Sequence, residues 1–355
     1  MANLSAAAGE QPPQPPSLTF SRPVFAKLSP HPYLLHTLLP SDSSVPSSRT
    51  NGRKPQEARK IQINTSSLSQ AHGSALVRSG DTTVICGVRG EILPVTSIPQ
   101  FRAGKSYDDD EKSKEEKGKK ELKEYDLLVP NIELATGCAP QFLPGVPPTT
   151  LAQTLSTRIY SLLHSAGVVD VEGLRVWYTP TKPGEDKMDE DEEEEELEPE
   201  VKTYWVLYID LLFVSFDGNP FDAAWAAVMA GLRDTRLPNA RWDPDREMVI
   251  CEKGEGRKLM VRGLPVACSA AVFLEKEHAE EREGDRHWIL LDPDRQEEGL
   301  CKEVITVVVD SSDGGEAKIR SIEKQGGTVL GRELIRGFVG IAEEKWKEVA
   351  AAMPH

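Results

Sequence analysis

No ready-made catalytic motif stands in this chain. It has no Gly-x-Ser-x-Gly, no His-Glu-x-x-His and no Gly-rich Lys-Ser/Thr loop, so nucleophilic hydrolase, zinc-protease and P-loop nucleotide chemistry lack the residues they need. The five cysteines, at 86, 138, 251, 268 and 301, include no Cys-x-x-Cys pair, and the seven histidines fall at no ligand spacing to them. They read as buried or free thiols in a reducing compartment, with no metal and no cofactor expected. No apolar run approaches the roughly 20 residues that span a bilayer. The start of the chain, with Pro12, Pro13, Pro15 and Pro16, lacks the basic end and apolar centre of a signal peptide, so an intracellular protein without a membrane partner is expected. A basic surplus is absent too. The formal net charge is -15, of which the 12 acidic residues and one lysine between Glu185 and Glu200 contribute -11. The rest is near neutral, which predicts weak binding of nucleic acid by the chain alone.

What is present is a regular alternation of β-rich runs and amphipathic helices. Residues 1–20 are rich in Ala, Gln and Pro and almost uncharged, which predicts a disordered arm. Residues 21–355 are read as a single domain. Phe25 to Leu39 suggests a short helix or extended anchor, and Ala75 to Glu91 reads as two strands joined at Ser79-Gly80-Asp81. Leu127 to Leu134 is a further strand. Thr149 or Thr150 caps a helix whose Leu151, Leu155, Ile159, Leu162 and Leu163 share one face, ending near Gly167. Leu174 to Tyr178 is a strand that resumes at Thr203 after an acidic insertion. Beyond it, Met248–Cys251, Leu259–Val261, Val266–Leu274, Trp288–Leu291 and Val304–Val309 read as short strands, with a charged hairpin loop at Glu275–Arg286 and a C-terminal helix through Leu330, Leu334, Phe338, Ile341 and Trp346. Two charged loop insertions are expected, near 107–124 and 181–202. Two rounds of strands followed by a helix predict an α+β fold, with mixed sheets covered on one side by helices.

The stretch that organises the rest is Tyr208 to Asp222, a strand running directly into a turn at Asp217-Gly218 and then into a helix. A helix launched from a strand end offers free N–H groups and a favourable dipole to an anion. Three residues argue against one here. Asn219 is a good N-cap, able to satisfy a helix N–H with its own side chain, and Pro220 suits the first helical position but has no N–H. Asp222 puts a carboxylate in the first turn, where it would repel a phosphate. Asp210 and Asp217 lie seven apart on a strand of period two, so they face opposite sides unless a bulge intervenes, and Asp217 reads as a turn residue. Arg102 and Lys105, in an otherwise uncharged segment, are either two solvent-facing cations or contacts to a polyanion.

Gly73-Ser-Ala-Leu-Val-Arg-Ser-Gly-Asp-Thr-Thr-Val-Ile-Cys-Gly-Val88 resembles the N-terminal hairpin of RNase PH-type proteins. Pro147-Pro-Thr-Thr-Leu-Ala-Gln-Thr-Leu-Ser156, Trp205-Val-Leu-Tyr-Ile-Asp210 and Phe216-Asp-Gly-Asn-Pro-Phe-Asp-Ala223 are similar to the exosome ring branch that has lost catalysis. The resemblance runs from about Phe25 to Trp346, outside the charged loops. The family's Arg-Pro-Asp-Gly-Arg signature is present only as Arg49-Thr50-Asn51-Gly52-Arg53, so its role is not carried to that loop. The resemblance implies an RNase PH-like fold and a place in a six-membered ring with related subunits and RNA-binding cap subunits. It also implies RNA in the central channel, associated nucleases, and a location in nucleus, nucleolus and cytoplasm. Catalytic relatives carry Asp-Gly-Gly-Thr-Arg at the strand–helix junction and a second acidic residue just upstream. Here Asn219 and Pro220 follow Asp217-Gly218, and Leu211 and Leu212 stand upstream, which implies a degenerate phosphorolytic site and no catalytic residue. In the family the loop containing Arg102 and Lys105 approaches the channel neck. A residual phosphate-dependent exoribonuclease and a stand-alone RNA-binding adaptor are the alternative readings.

Overall fold

The computed structural model describes residues 20–40, 44, 46–99, 101, 111–180, 199–275, 286–312, 314, 316–327 and 331–354. The chain divides into two compact units, one ending at Pro55 and one beginning at Gln56. The first holds two helices, α1 (Arg22–Leu28) and α2 (Pro30–Leu38), each with a proline in its first turn, where the missing N–H has no intrahelical partner to lose. Arg49 to Arg53 forms a closed turn, the Arg49 N–H donating to the Arg53 carbonyl at 2.8 Å.

The second unit is built on two sheets. Strands β1 (Ile61–Thr65), β2 (Gly73–Ser79) and β3 (Thr82–Pro94) are followed by α3 (Glu111–Glu124), β4 (Leu128–Leu134), α4 (Thr150–Ala166), β5 (Arg175–Tyr178) and β6 (Glu200–Ser215). These strands form one six-stranded sheet in the order β1-β2-β3-β6-β4, with β5 also on β6 and β4 alone running parallel to its neighbour. Helix α5 (Pro220–Asp234) leaves the end of β6. Two small ribbons come next, β7 (Arg236–Leu237) with β10 (Arg257–Lys258), and β8 (Ala240–Asp243) with β9 (Met248–Cys251). The second sheet is antiparallel, β12 (His287–Leu291), β11 (Val266–Leu274), β13 (Glu303–Asp310), β14 (Lys318–Gln325) in spatial order, with α6 (Arg295–Leu300) between β12 and β13 and α7 (Arg332–Ala352) closing the chain. The expected α+β class and the strand-then-helix order are therefore observed.

Helix α5 is apolar on every side, from Phe221 through Trp225 and Met229 to Leu232, and a helix of that kind must be enclosed. It packs on β2 and β3 of the first sheet and on β11 of the second. The Trp225 indole N–H donates to the Pro265 carbonyl at 2.8 Å, so even its one polar edge is satisfied inside. Phe338 and Ala342 of α7 cover the second sheet around Ile305, Val307 and Val309. Thr149 caps α4, its hydroxyl accepting the Ala152 N–H at 3.3 Å, and the helix ends at Gly167 as its sequence predicts.

Three expectations need correction. The segment 107–124, read as a charged loop, is helical from Glu111. Lysine–glutamate pairs at i,i+4, Lys119 with Glu115 and Lys120 with Glu124, support it, and the buried side chain of Leu122 anchors it. Glu121 on the same helix accepts hydrogen bonds from Arg175 and the Tyr204 hydroxyl, a fixation that needs no apolar stripe. Leu259–Val261 is no strand, and only an isolated bridge joins Val261 to Val169. Strand β14 was not expected, because its polar, exposed pattern gives no β alternation. The N-terminal arm to residue 19, residues 181–198 of the acidic insertion and 276–285 of the charged hairpin loop lie outside the described residues.

Candidate functional site

Strand β6 delivers the chain to the junction, and the junction residues are then held from several elements. Thr82, the first residue of β3, accepts the Asp217 N–H at 3.0 Å and donates its own hydroxyl proton to the Gly218 carbonyl at 2.9 Å. The Asn219 N–H goes to the Glu298 carboxylate of α6 at 2.7 Å. Pro220 opens α5 at a position where an N–H is not required. Two N–H groups that could have met an anion are thus consumed within the chain, and a third does not exist.

Facing the junction is a cation that belongs to the protein. Arg59, just ahead of β1, donates from its guanidinium to the Asp217 carbonyl at 2.8 Å and to the Gly218 carbonyl at 3.4 Å. It forks onto Asp292 with two bonds of 2.8 Å, and its backbone N–H adds a third of 2.8 Å to the same carboxylate. The Asp217 carboxylate lies 3.6 Å from the same guanidinium. A planar fork matched to a carboxylate is the geometry in which an enclosed ion pair is strongest. Burial alone would push the Asp292 carboxyl up, but the Arg59 bonds and charge hold it below its ordinary value. Burial would likewise pull Arg59 down, and Asp292 with Asp217 and Asp294 leaves it raised instead.

The network continues inward. The Asn219 side-chain amide donates to Asp292 at 2.7 Å and to Asp222 at 2.9 Å. Asp222 also accepts the backbone N–H and the hydroxyl of Ser269 at 2.8 and 2.7 Å. The Ser269 hydroxyl meets Thr306 at 2.9 Å, Thr306 accepts from Arg158 at 3.1 Å, and Arg158 pairs with Glu323 at 2.6 Å while lying 3.9 Å over the Phe221 ring. One polar chain therefore runs from the segment before β1, through the first turn of α5, into β11, β13 and β14. Beside it is a cavity of about 30 Å³ lined in part by Asn219, Asp222 and Asp292, room for a water molecule and not for a nucleotide.

Asp217, Gly218, Asn219 and Pro220 run consecutively through the turn into the first position of α5, and the capping role read for Asn219 needs correction. Asn219 does not cap α5 through its side chain. Its backbone sits in the left-handed region at φ +47, which turns the amide away from the helix N–H groups and onto the two carboxylates. Asp210 is exposed on β6, where it accepts from Asn131 at 3.2 Å, and no bond joins it to Asp217. Arg102 and Lys105 lie outside the described residues. Arg59, Asp292 and Glu298 were missed by sequence reasoning. The one legible signal near them was Asp294-Arg-Gln-Glu297, the spacing of a capping box, which Asp294 and Glu297 do form at the start of α6.

Glu298 gives the junction a pH dependence. Burial pushes its carboxyl up to about 7, with Asp292 and Asp294 reinforcing the shift and the Asn219 N–H and Arg59 opposing it. A folded-state value above the unfolded value of 4.5 means the folded chain holds this proton more tightly. That contribution is fully present below pH 4.5 and is lost as pH rises through about 7. Glu298→Gln keeps an acceptor for the Asn219 N–H and removes the titration. The variant is expected to match the parent near pH 4.5 and to exceed it by roughly 2–3 kcal/mol at pH 8 in denaturant titrations. Parallel stability curves for the two proteins would exclude this linkage.

Residues 57–238 match the family model of the 3' exoribonuclease family, domain 1, known as RNase PH. The exosome complex component rrp43 of Schizosaccharomyces pombe is 31% identical over 330 residues, covering 93% of this chain and 97% of that protein. The exosome complex component Rrp42 of Aeropyrum pernix is 27% identical over 300 residues, with 84% and 86% covered. Among solved structures, a chain of the Archaeoglobus fulgidus exosome with RNA bound to the active site superposes with a TM-score of 0.62 at 22% identity, covering 93% of this chain and all of that one. A chain of an archaeal exosome core gives a TM-score of 0.57 at 21% identity.

Proposed function

The chain belongs to the RNase PH family of 3' exoribonuclease-type proteins, and from that membership we propose that it is a ring subunit of an RNA exosome that does not itself cleave RNA. Its relatives of like length are named as exosome components, and they align over 93% and 84% of the chain. The observation that carries the non-catalytic part is the filled junction. Phosphorolysis needs an anion held at a cationic or N–H-lined site, and here carbonyl oxygens and carboxylates converge on an internal guanidinium. Asp217, Gly218, Asn219 and Pro220 are read as the remnant of a phosphorolytic site, kept for the packing that α5 supplies. The work of the subunit is architectural: it joins other RNase PH-like ring subunits and RNA-binding cap subunits and passes RNA through the central channel to associated nucleases, in rRNA processing and in RNA decay in the nucleus, nucleolus and cytoplasm. Arg102 and Lys105 are proposed to touch the RNA backbone there, since contacts to phosphate without base reading suit a channel that takes any sequence.

The purified chain, given RNA and inorganic phosphate, is expected to release no nucleoside diphosphate, and Asp217→Ala to change nothing. Phosphate-dependent release that Asp217→Ala abolishes would replace this reading with an exoribonuclease. A stable monomer that associates with no RNase PH-like chain would replace it with a stand-alone adaptor. In the assembled ring, Arg102→Glu with Lys105→Glu should weaken RNA crosslinking, and unchanged crosslinking would make the two residues surface cations only.

A further inference from the structure

Tyr204, buried on β6, touches both ends of the excursion that the chain makes between β3 and β4. Where the chain leaves, the Phe101 ring stands edge-on to Tyr204 with centroids 6.3 Å apart. Where it returns after α3, Tyr125 lies 5.6 Å from Tyr204 and 6.0 Å from Phe101, so the three rings close a triangle. Helix α3 adds a charged member. Gly118, Glu121, Leu122 and Tyr125 recur at helical spacing and share one face. Gly118 lets that face approach Val171, in the 3-10 turn ahead of β5, where a Cβ would lie 3.0 Å from the valine side chain. Glu121 then accepts the Tyr204 hydroxyl proton on one oxygen and the Arg175 guanidinium on both. Arg175 is held in turn by Glu172 at 2.9 Å.

A buried phenol needs an acceptor, and a carboxylate is the strongest one a side chain offers. Burial and the Glu121 charge push the Tyr204 hydroxyl far above its ordinary value, so it remains a donor. The base of the excursion is thus tied by aromatic contact and by charge-assisted bonds. Arg102 and Lys105 follow Phe101 by one and four positions. Chain connectivity places each Cα about 3.8 Å from the one before it, so fixing Phe101 restricts where the first cation can stand. We propose that Glu121, Tyr204 and Arg175 are positioning residues, whose knot sets where Arg102 and Lys105 are presented. Resting on the reading of those two cations as RNA contacts, the knot spares them part of the ordering cost that a free loop would meet when a strand arrives.

The test uses the full chain in its assembled ring, with a photocrosslinking phenylalanine analogue at position 103 and a labelled single-stranded RNA. Glu121→Ala is compared with the parent by crosslink yield and by amide hydrogen exchange. Exchange across residues 117–125 is expected to speed up by about tenfold or more, while the amides of β3 and β6 keep the parent rates. The crosslink is expected to fall by about threefold or more, the cost of ordering one or two long side chains again. Glu121→Gln keeps an acceptor for the Tyr204 hydroxyl and is expected to recover most of the crosslink. Faster exchange with an unchanged crosslink overturns the proposal, because the knot then holds α3 and positions nothing. Unchanged exchange overturns it as well. A parent that gives no RNA crosslink from position 103 overturns the reading of Arg102 and Lys105 as RNA contacts, and the positioning role with it. Should Glu121→Ala fail to enter the ring, Tyr204→Phe decides on the same two measurements, since it removes one hydroxyl and leaves the three rings in place.

Discussion

Arg59→Ala is expected to lower the stability of the protein by about 3–5 kcal/mol, the cost of leaving an enclosed charge without its partner. The guanidinium has a side-chain exposure of 9% and Asp292 of 7%, so neither charge has water to fall back on. Alanine would remove both prongs of the fork on Asp292 and both donors to the Asp217 and Gly218 carbonyls at once. Asp292 would keep the Arg59 backbone N–H and the Asn219 amide, which can hold a carboxylate but cannot neutralise it. The sign with pH follows from the direction of the shift. Asp292 is held below its ordinary value, so its contribution is present above the unfolded value of 3.8 and is lost as pH falls through the folded one. Arg59→Ala should therefore flatten the acid limb of the stability curve as well as lower it. Denaturant titrations of Arg59→Ala, Asp292→Asn and the double variant measure the pair directly, with the double expected to be much less destabilised than the sum of the singles. Additive losses, or a single loss below about 1 kcal/mol, would mean that the fork contributes no more than an ordinary surface pair.

Much of this site could be read in the sequence, and the part that could not has a physical reason. The run from Tyr208 to Asp222 announces a strand, a turn and a helix because each periodicity is local, and Pro220 and Asp222 announce the start of α5. The hairpin through Gly80 and the cap at Thr149 were legible for the same reason. The partners of the junction were not. Arg59 reaches Asp292 across 233 residues, and Glu298 reaches Asn219 across 79, distances over which no propensity or spacing carries information. Asn219 shows the limit most sharply. Its residue type favours a side-chain cap through its carbonyl oxygen, but its left-handed backbone and the two bonds its NH2 group donates to the carboxylates of Asp222 and Asp292 aim the amide elsewhere. The helix at Glu111–Glu124 was hidden because mixed charge without an apolar stripe suits a solvated loop and an exposed helix alike, and only Leu122 and Glu121 decide between them.

Gly218→Ala is the substitution that tests whether the junction is sealed, and it is expected to cost about 2–5 kcal/mol. Gly218 takes φ +77, a conformation worth roughly 1–2 kcal/mol against any residue with a Cβ. The larger part comes from what stands opposite. A Cβ built there would lie 2.5 Å from the Asp294 carbonyl carbon, 2.6 Å from the Arg295 nitrogen and 2.7 Å from the Pro293 carbonyl oxygen. These are backbone atoms at the start of α6, fixed by the capping box of Asp294 and Glu297, so they cannot step aside as a side-chain end could. Overpacking of that kind adds roughly 1–3 kcal/mol. Gly145→Ala is the matched control, with nearly the same φ at +73 and no atom within 4 Å of its added Cβ. It should cost only the conformational part, about 1 kcal/mol. Unfolding midpoints for the two variants separate strain from contact. A Gly218 loss no larger than the Gly145 loss would mean that α6 yields easily, and that the first turn of α5 can open to an outside ligand after all. A loss several times larger would show that α6 is the wall that closes it.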